Sequence, residues 1–202
     1  MTTRTPVDFW FDPACPWAWM TSRWVLEAAT VRDLEVTWRL LSLYVLNEGK
    51  EPSEKARENH LRSHQQERVI AAARNAHGTD VVLPLYTALG TSYHLEKTHR
   101  DRAVVEAALL GIGLPADLAD ALDDEKWDVA IAADHDEGMA RVGLDVGTPI
   151  VGLEDTAFFG PVVTPAPKGE DAGRLWDGVL LVARTPGFYE LKRTRDARPS
   201  FD

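Results

Sequence analysis

The chain is poor in cysteine, because Cys15 is the only one among its 202 residues. A single cysteine cannot form an internal disulfide, so no oxidised framework is expected to hold the fold together. The sequence also lacks an apolar run near the roughly 18 residues that a membrane-spanning helix needs, and its first residues lack the apolar core of a signal peptide. These absences predict a cytoplasmic protein, whose thiol stays reduced unless it takes part in redox chemistry.

Positive charge is also scarce, with 22 Lys and Arg against 32 Asp and Glu and a formal net charge of −10. This balance argues against a general nucleic-acid binder and against a protein of anionic membrane surfaces. A Gly-rich phosphate loop and a G-x-S-x-G elbow are absent, and no tightly bound cofactor is expected. His60 and His64 have a spacing that can bind metal on a helix, but no third ligand is evident, so no metal site is expected.

The first residues present a strand–helix–strand pattern. Residues 7–12 form a short apolar run between Pro6 and Pro13, which indicates a buried strand. Residues 16–30 have apolar side chains at helical spacing, and Pro16 suits the first turn of a helix. Residues 34–43 alternate and are rich in branched and aromatic side chains, which indicates a second strand. This order favours a βαβ unit with a parallel strand pair.

Residues 53–143 are dominated by Ala, Leu, Glu, Arg, His and Gln, which favour helices. Pro84 and Gly90 leave residues 80–94 without a definite assignment. The other start and stop signals divide the block into four or five helices; these signals are Gly78, Thr98 with Asp101, Gly111, Pro115 and Gly143.

After this block the sequence predicts a β-hairpin turning at Glu154 and Asp155, followed by a helix over residues 169–185. The fold class is therefore α/β, with a thioredoxin-like fold and a large all-helical insertion between a βαβ half and a ββα half. Residues 1–50 and 145–202 are expected to form the thioredoxin-like domain, and residues 51–144 the inserted helical subdomain.

Cys15 falls at the junction of the first predicted strand and helix. Unpaired N–H groups and the helix dipole stabilise an anion at such a position. The pKa of the thiol is therefore expected to fall from ~8.5 toward the range ~3.5–7.5. Asp12 opposes this effect if its carboxylate points toward the sulfur.

Thr148-Pro149 opens a predicted strand after the helical block, where thioredoxin-like proteins carry a cis-proline. A cis X-Pro bond is uncommon, at about 5–6% of such bonds in folded chains. In that fold it turns the backbone of Thr148 toward the sulfur, free to pair with an extended substrate.

Three segments carry a resemblance to a known family, namely FWFDPACPW around Cys15, Thr148-Pro149, and AFFGP at residues 157–161. Together they resemble the DsbA family of thioredoxin-fold oxidoreductases, and most of all the actinobacterial mycothiol-dependent reductases, also called nitroreductases. The similarity extends through SLYVLNE and the C-terminal ELKRTR and FD. It implies that Cys15 is the nucleophile, with Pro16, Trp17, Asn47, Thr148 and Pro149 binding the substrate or thiol.

The resemblance further implies a low-molecular-weight thiol such as mycothiol as co-substrate and a disulfide or electrophile as substrate. The chain departs from the family pattern at Ala18, where that pattern has the resolving cysteine. Without this cysteine, Cys15 can attack a disulfide but cannot close an internal one, so a second thiol must release the adduct. Ala18 is either natural to a monothiol protein or an engineered Cys-to-Ala change.

Two rival functions remain open. One is a thiol-cofactor transferase or isomerase of the kappa-class or 2-hydroxychromene-2-carboxylate isomerase type, whose usual nucleophile is Ser. The other is a non-catalytic thiol-binding relative.

The remaining residues have plainer interpretations. Trp10, Trp24 and Trp38 are expected in the core, while Trp17 and Trp19 are expected at the pocket. His135 is expected on a solvated helix face. The basic tail is expected to be a solvated end, with a homodimer contact or substrate steering as alternatives; it contains Lys192, Arg193, Arg195 and Arg198.

Overall fold

Helices and strands follow one another in the order that the sequence indicates. The computed structural model describes residues 4–50 and 53–201. The first three residues of the expected thioredoxin-like domain, the first two of the expected insertion, and Asp202 of the FD segment lie outside the described residues. The elements are β1 (Thr5–Phe11), α1 (Pro16–Val31), β2 (Leu34–Leu40), α2 (Leu43–Leu46), α3 (Glu54–His77), α4 (Val82–Gly90), α5 (Arg102–Gly111), α6 (Asp128–Val142), β3 (Ile150–Gly152), β4 (Ala157–Phe159) and α7 (Gly169–Ala183).

The strands form one mixed sheet in the order β2-β1-β3-β4. β1 and β2 are parallel, with Phe9 opposite Trp38, which confirms the βαβ unit. β3 pairs antiparallel with β1 on one side and with β4 on the other, which confirms the hairpin. The second strand ends at Leu40 rather than at residue 43, because α2 begins within that apolar run.

Helices cover the sheet on both faces, since the side chains of β1 alternate between two hydrophobic clusters. Phe9 and Phe11 point into the larger cluster, which includes α1 and α7. Trp10 points the other way, where it packs with Met139 of α6. A Cβ atom at Gly138 would lie 2.9 Å from the Trp10 ring, so this glycine permits the close approach of α6 to the sheet.

The core positions expected for Trp10, Trp24 and Trp38 are confirmed, since all three are buried. Trp24 and Trp176 join α1 to α7 with their ring centroids 5.9 Å apart. Trp19 is buried in the main cluster, where it packs against the rings of Tyr86 and His94 and the guanidinium of Arg23. It also lines a cleft of about 230 Å³.

The helical block contains the long helix that the sequence predicts. The side chain of Ser53 caps the start of α3 by accepting a bond from the N–H of Ala56, and Gly78 ends the helix with φ of +87°. Residues 82–95 are helical despite Pro84, as α4 followed by a π-helical turn over Thr91–Leu95.

One predicted helix start in this block is wrong, and a second is correct in place but differs in helix type. The cap of α5 is Asp101, whose carboxylate accepts from the N–H of Val104, rather than a pair that begins at Thr98. The helix expected after Pro115 is a 3₁₀-helix over Ala116–Asp123, and a second 3₁₀ turn at Glu125–Trp127 precedes α6.

The solvated position expected for His135 is wrong. The side chain is buried because α6 packs the face containing Ile131, His135 and Met139 inward. Burial lowers the pKa of His135.

Candidate active site

Cys15 lies where β1 passes into α1 and is the N-cap residue of that helix. Its Sγ accepts a hydrogen bond from the N–H of Ala18 at 3.4 Å. The thiol donates to the carbonyl oxygen of Thr148 at 3.4 Å, across 133 residues of sequence. The sulfur is thus fixed between a helix amide and a backbone acceptor.

The segment that supplies this acceptor contains the Thr148-Pro149 bond, which is cis. The hydroxyl of Thr148 donates to the carbonyl of Trp10 at 3.0 Å, and Gly160 donates its N–H to the carbonyl of Pro149 at 2.9 Å. The loop before β3 is therefore bound to β1 on one side and to the end of β4 on the other, which places the carbonyl of Thr148 at the sulfur.

The expected fall in the thiol pKa of Cys15 is wrong for this conformation. Cys15 is only 7% exposed. Burial raises its pKa to about 12, and the charge of Asp12 adds to this, while the amides of Ala18 and Trp17 oppose it. The cost of a desolvated thiolate outweighs the two helix amides, since burial always disfavours the charged form.

Asp12, three residues before the cysteine, is a fully buried carboxylate. Its Oδ1 accepts from the N–H of Ala14 at 2.7 Å and from the hydroxyl of Ser63 at 2.5 Å, while its Oδ2 accepts from the N–H of Leu43 at 2.8 Å. One side chain thereby joins the active-site turn to α2 and to α3.

Two further polar side chains of α3 lie buried behind Asp12. His64 Nδ1 is 2.9 Å from the hydroxyl of Ser42 and 3.1 Å from Glu67 Oε2, and its Nε2 is 3.1 Å from Asp128 Oδ1. The pKa of His64 is lowered, chiefly by burial. Glu67 is fully buried, and burial followed by the charge of Asp12 raises the pKa of its carboxyl group well above the usual value.

A second histidine of the helical block contacts the active-site turn directly. His94, in the π-helical turn, has its Nε2 3.0 Å from the carbonyl of Pro13. Its ring stacks between Trp19 and Phe201, with centroids 5.4 and 5.6 Å away. Burial lowers the pKa of His94 to about 4, so the ring is neutral at pH 7 and donates to Pro13 through Nε2.

The other sequence-predicted site residues lie around this centre. Ala18 is fully buried in the first turn of α1, whereas Trp17 is half-buried and lies 5.2 Å from the guanidinium of Arg195. Asn47 caps the end of α2 and donates to the carbonyl of Leu43 at 2.7 Å.

Asn47 also lines a cleft of about 300 Å³, whose lining does not include Cys15; the lining residues are Tyr44, Asn47, Glu48, Gly49, Lys50, Arg57 and His60.

Within residues 4–50 and 53–201, no group of three or more His, Cys, Asp or Glu side chains is arranged to hold a metal ion. None of the described helices is both long enough and apolar enough to cross a bilayer.

Ser63, Glu67 and His94 are neighbours of the active-site turn that the sequence did not reveal. In a helix rich in polar residues, a buried serine or glutamate looks the same as a solvated one, because helical periodicity marks apolar faces only. For His94 the sequence did contain a signal, because Pro84 and Gly90 interrupt the helical pattern just before it. The structure has a π-helical turn there, and such turns are frequent at functional sites.

Comparison with known proteins gives a family and a relative. Residues 14–193 match the family described as "Rv2466c-like: Mycothiol-dependent nitroreductase Rv2466c". The "Uncharacterized protein Rv2286c" of Mycobacterium tuberculosis is 33% identical over 196 residues, which cover 95% of this chain and 83% of that protein.

Solved structures share the fold at lower identity. The probable DsbA oxidoreductase SCO1869 from Streptomyces coelicolor has a TM-score of 0.61 and 19% identity, covering 96% of this chain and 95% of its own. The cytosolic disulfide reductase DsbM from Pseudomonas aeruginosa with GSH has a TM-score of 0.58 and 18% identity, covering 87% and 99%. The oxidoreductase DsbA from Xylella fastidiosa has a TM-score of 0.57 and 14% identity, covering 89% and 86%.

Proposed function

Because the chain belongs to the Rv2466c-like family of mycothiol-dependent nitroreductases, we propose that it is a thiol-disulfide oxidoreductase that works with one sulfur. Cys15 is the nucleophile, and a low-molecular-weight thiol replaces the missing second cysteine. The observation that carries the proposal is the setting of Cys15, with its sulfur at a helix N-terminus opposite the carbonyl of Thr148.

In the attacking step, the Cys15 thiolate displaces one sulfur of a substrate disulfide. A Cys15–substrate disulfide forms, the original S–S bond breaks, and the other half leaves as a thiolate that takes a proton. The N–H of Ala18 already points at Sγ and stabilises the negative charge.

The thiol must gain solvent before it reacts. With its pKa raised to about 12, almost all of the thiol is protonated at pH 7. Burial is the first cause of the raised pKa, so an opening that hydrates the sulfur lowers it and increases the thiolate fraction.

The resolving step requires an external thiol. Ala18 offers a methyl group where the family pattern has its second cysteine, so no intramolecular attack can release the substrate. A thiol RSH attacks the mixed disulfide, forms a new disulfide with the substrate half, and returns Cys15 as thiolate. Across the cycle the displaced substrate sulfur is reduced to a thiol and the sulfur of RSH is oxidised into the new disulfide, so no further electron carrier is required.

We propose mycothiol as this thiol, since the family to which the chain belongs is that of a mycothiol-dependent nitroreductase. Cytoplasmic pools of such thiols keep protein thiols reduced, so the cytoplasm is the proposed site of action. Pro16, Trp17, Thr148 and Pro149 are the proposed contacts for the bound thiol or substrate, together with Asn47.

Intact-mass spectrometry tests the proposal. Incubation with mycothiol disulfide should add one mycothiol to the wild-type chain, and reduced mycothiol should remove it. The Cys15→Ser variant should gain no adduct. A wild-type chain that gains no adduct from mycothiol disulfide or from glutathione disulfide would refute the single-sulfur mechanism.

The Ala18→Cys variant measures what the missing cysteine contributes. The variant should release its substrate without added thiol, because two cysteines in this motif can close a disulfide. A large gain in turnover would identify the present chain as a disabled dithiol enzyme, and little change would identify a working monothiol one.

The burial of the sulfur favours a second candidate, a thiol-binding protein without turnover. Such a protein would form the mixed disulfide once and keep it. Counting product molecules per chain in the presence of excess thiol separates the two functions, since an enzyme yields many and a binding protein yields one.

A further inference from the structure

One buried side chain of the helical block takes no part in the attack or release steps at Cys15. Glu67 of α3 is 0% exposed, and its Oε1 has no hydrogen-bond partner among the described residues. An ionised carboxylate needs donors on both oxygens when it is buried, whereas a neutral carboxyl group does not carry that cost. The contacts of Glu67 therefore fit a carboxyl group that carries a proton.

The second observation is the position of this group relative to Cys15. Glu67 lies one turn along α3 from Ser63, whose hydroxyl donates to Asp12 Oδ1 at 2.5 Å. The same Oδ1 accepts from the N–H of Ala14, the residue before Cys15, at 2.7 Å, and the charge of Asp12 raises the pKa of both Glu67 and Cys15. Asp12 is itself held by the amides of Ala14 and Leu43 and by the hydroxyl of Ser63. Two carboxyl groups and one thiol thus share a water-poor region in which each added charge affects the others.

The third observation is a route from Glu67 to the surface. Glu67 Oε2 is 3.1 Å from His64 Nδ1, and His64 Nε2 is 3.1 Å from Asp128 Oδ1. The side chain of Asp128 is 37% exposed. An imidazole can accept a proton at one nitrogen and release one from the other, so these contacts can move a proton between Glu67 and solvent.

We propose that Glu67 is a positioning residue for Cys15, holding one proton beside Asp12 and exchanging it with solvent through His64 and Asp128. The inference rests on the proposed function of Cys15 as a nucleophile. With Glu67 neutral, the Asp12–Glu67 pair carries one negative charge and the thiolate adds a second. Release of the Glu67 proton adds a third negative charge, which disfavours ionisation of the thiol.

Charged and titratable groups from four parts of the chain face this carboxyl group. Asp12 approaches from the end of β1, Asp128 from α6, and His64 from the same helix. Arg100, before α5, is buried near both carboxyl groups. Burial lowers the pKa of Arg100, and the charges of Asp12 and Glu67 raise it. These groups define the pH dependence that the proposal predicts.

The test is the pH profile of Cys15 alkylation by iodoacetamide, measured by intact mass in the wild type and in Glu67→Gln. The wild type should show a shallow, two-step rise, because ionisation of Glu67 opposes that of the thiol. Glu67→Gln should show one ionisation with an apparent thiol pKa lower by about one unit, which is about tenfold faster alkylation in the rising part of the profile. Glu58→Gln, on the exposed side of α3, is the matched control and should follow the wild type.

Infrared spectroscopy of the wild type provides a measurement that does not depend on a variant. A protonated carboxylic acid C=O band should be present at pH 7 and should disappear in step with the first inflection of the alkylation profile. Superimposable profiles for wild type and Glu67→Gln, or absence of the band at pH 7, would overturn the inference.

The two proposals fail separately, because alkylation does not require a disulfide substrate or turnover. A two-step profile that Glu67→Gln makes single supports the role of Glu67 even where no mycothiol adduct forms. A mycothiol adduct with unchanged profiles supports the proposed function and rejects the role of Glu67.

Discussion

The two halves that meet at Cys15 contribute different kinds of group. The sheet and α1 surround the sulfur with apolar side chains, and its hydrogen bonds are to the N–H of Ala18 and the carbonyl of Thr148. The turn between β1 and α1 adds the buried carboxylate of Asp12. The helical block contributes ionisable and hydroxyl side chains, namely Ser63, His64, Glu67 and His94.

The backbone groups of the sheet half set the position of the Cys15 sulfur, whereas the titratable side chains of the helical block set the charge around it. Backbone groups are held by the sheet and by helix hydrogen bonds, so they position the sulfur whatever the pH. The side chains of the helical block change charge with pH, so they control which protonation states the buried region permits. We therefore expect substitutions in the helical block to alter pH dependence, and substitutions where the two halves meet to alter stability.

The largest expected effect is at His94, which ties the helical block to the carbonyl of Pro13. Its folded-state pKa of about 4 lies below the usual 6.5. The unfolded chain binds the proton first on acidification, so this contribution to stability is complete above pH 6.5 and is lost as the pH falls to 4. The loss is about 3 kcal/mol. His94→Gln keeps a donor for Pro13 and should remove this part of the pH slope, as measured by urea unfolding at pH 7 and pH 4.

His99→Gln is the control for this experiment, because His99 is exposed and lies five residues further along the chain. It should retain the wild-type slope. An unchanged slope in His94→Gln would show that the contact with Pro13 does not depend on a neutral imidazole.

A smaller effect is expected where α4 meets α1. A Cβ atom at Gly90 would overlap the ring of Trp19. Gly90→Ala should destabilise the protein by about 2 kcal/mol, since Trp19 is packed on several sides and cannot move freely. Thermal or urea unfolding measures this change.

Gly178→Ala is the matched control, because Gly178 lies in the exposed part of α7, where an added Cβ atom would have no other heavy atom within 4 Å. Alanine favours a helix interior over glycine by about 1 kcal/mol, so this variant should be more stable than the wild type. Equal and small effects in the two variants would mean that the contact between α4 and α1 is loosely packed.

The smallest effect is expected at Arg195, in the exposed C-terminal segment. Its guanidinium lies 5.2 Å from the centre of the Trp17 ring. Arg195→Ala should lower stability by about 0.5 kcal/mol at most, which is typical of an exposed cation–π pair, and should change tryptophan fluorescence. Arg193→Ala should leave both unchanged. A loss above about 1 kcal/mol at Arg195 would show that the tail contributes to the packing of the site.

Much of the fold could be predicted because its signals are local. The apolar run before Pro13, the alternation after residue 34 and the stop at Gly78 predict their strands and helix, and the structure contains them. The predicted start at Thr98 was wrong, because the hydroxyl of Thr98 donates to the carbonyl of Ser92, whereas the carboxylate of Asp101 accepts from the N–H of Val104 and caps α5. The solvated position for His135 was wrong because sequence periodicity does not show that α6 is covered by the sheet.

The sequence by itself determined that Cys15 stands alone at a strand-to-helix junction, without a second cysteine to close a disulfide. Both properties follow from residues adjacent in the chain. Only the tertiary structure decided the charge state of the site. The thiol pKa rises because folding removes water from Cys15, and the proton that we place on Glu67 depends on Asp12, more than fifty residues earlier. Desolvation and Coulomb interactions depend on distance in space, which local sequence patterns do not record.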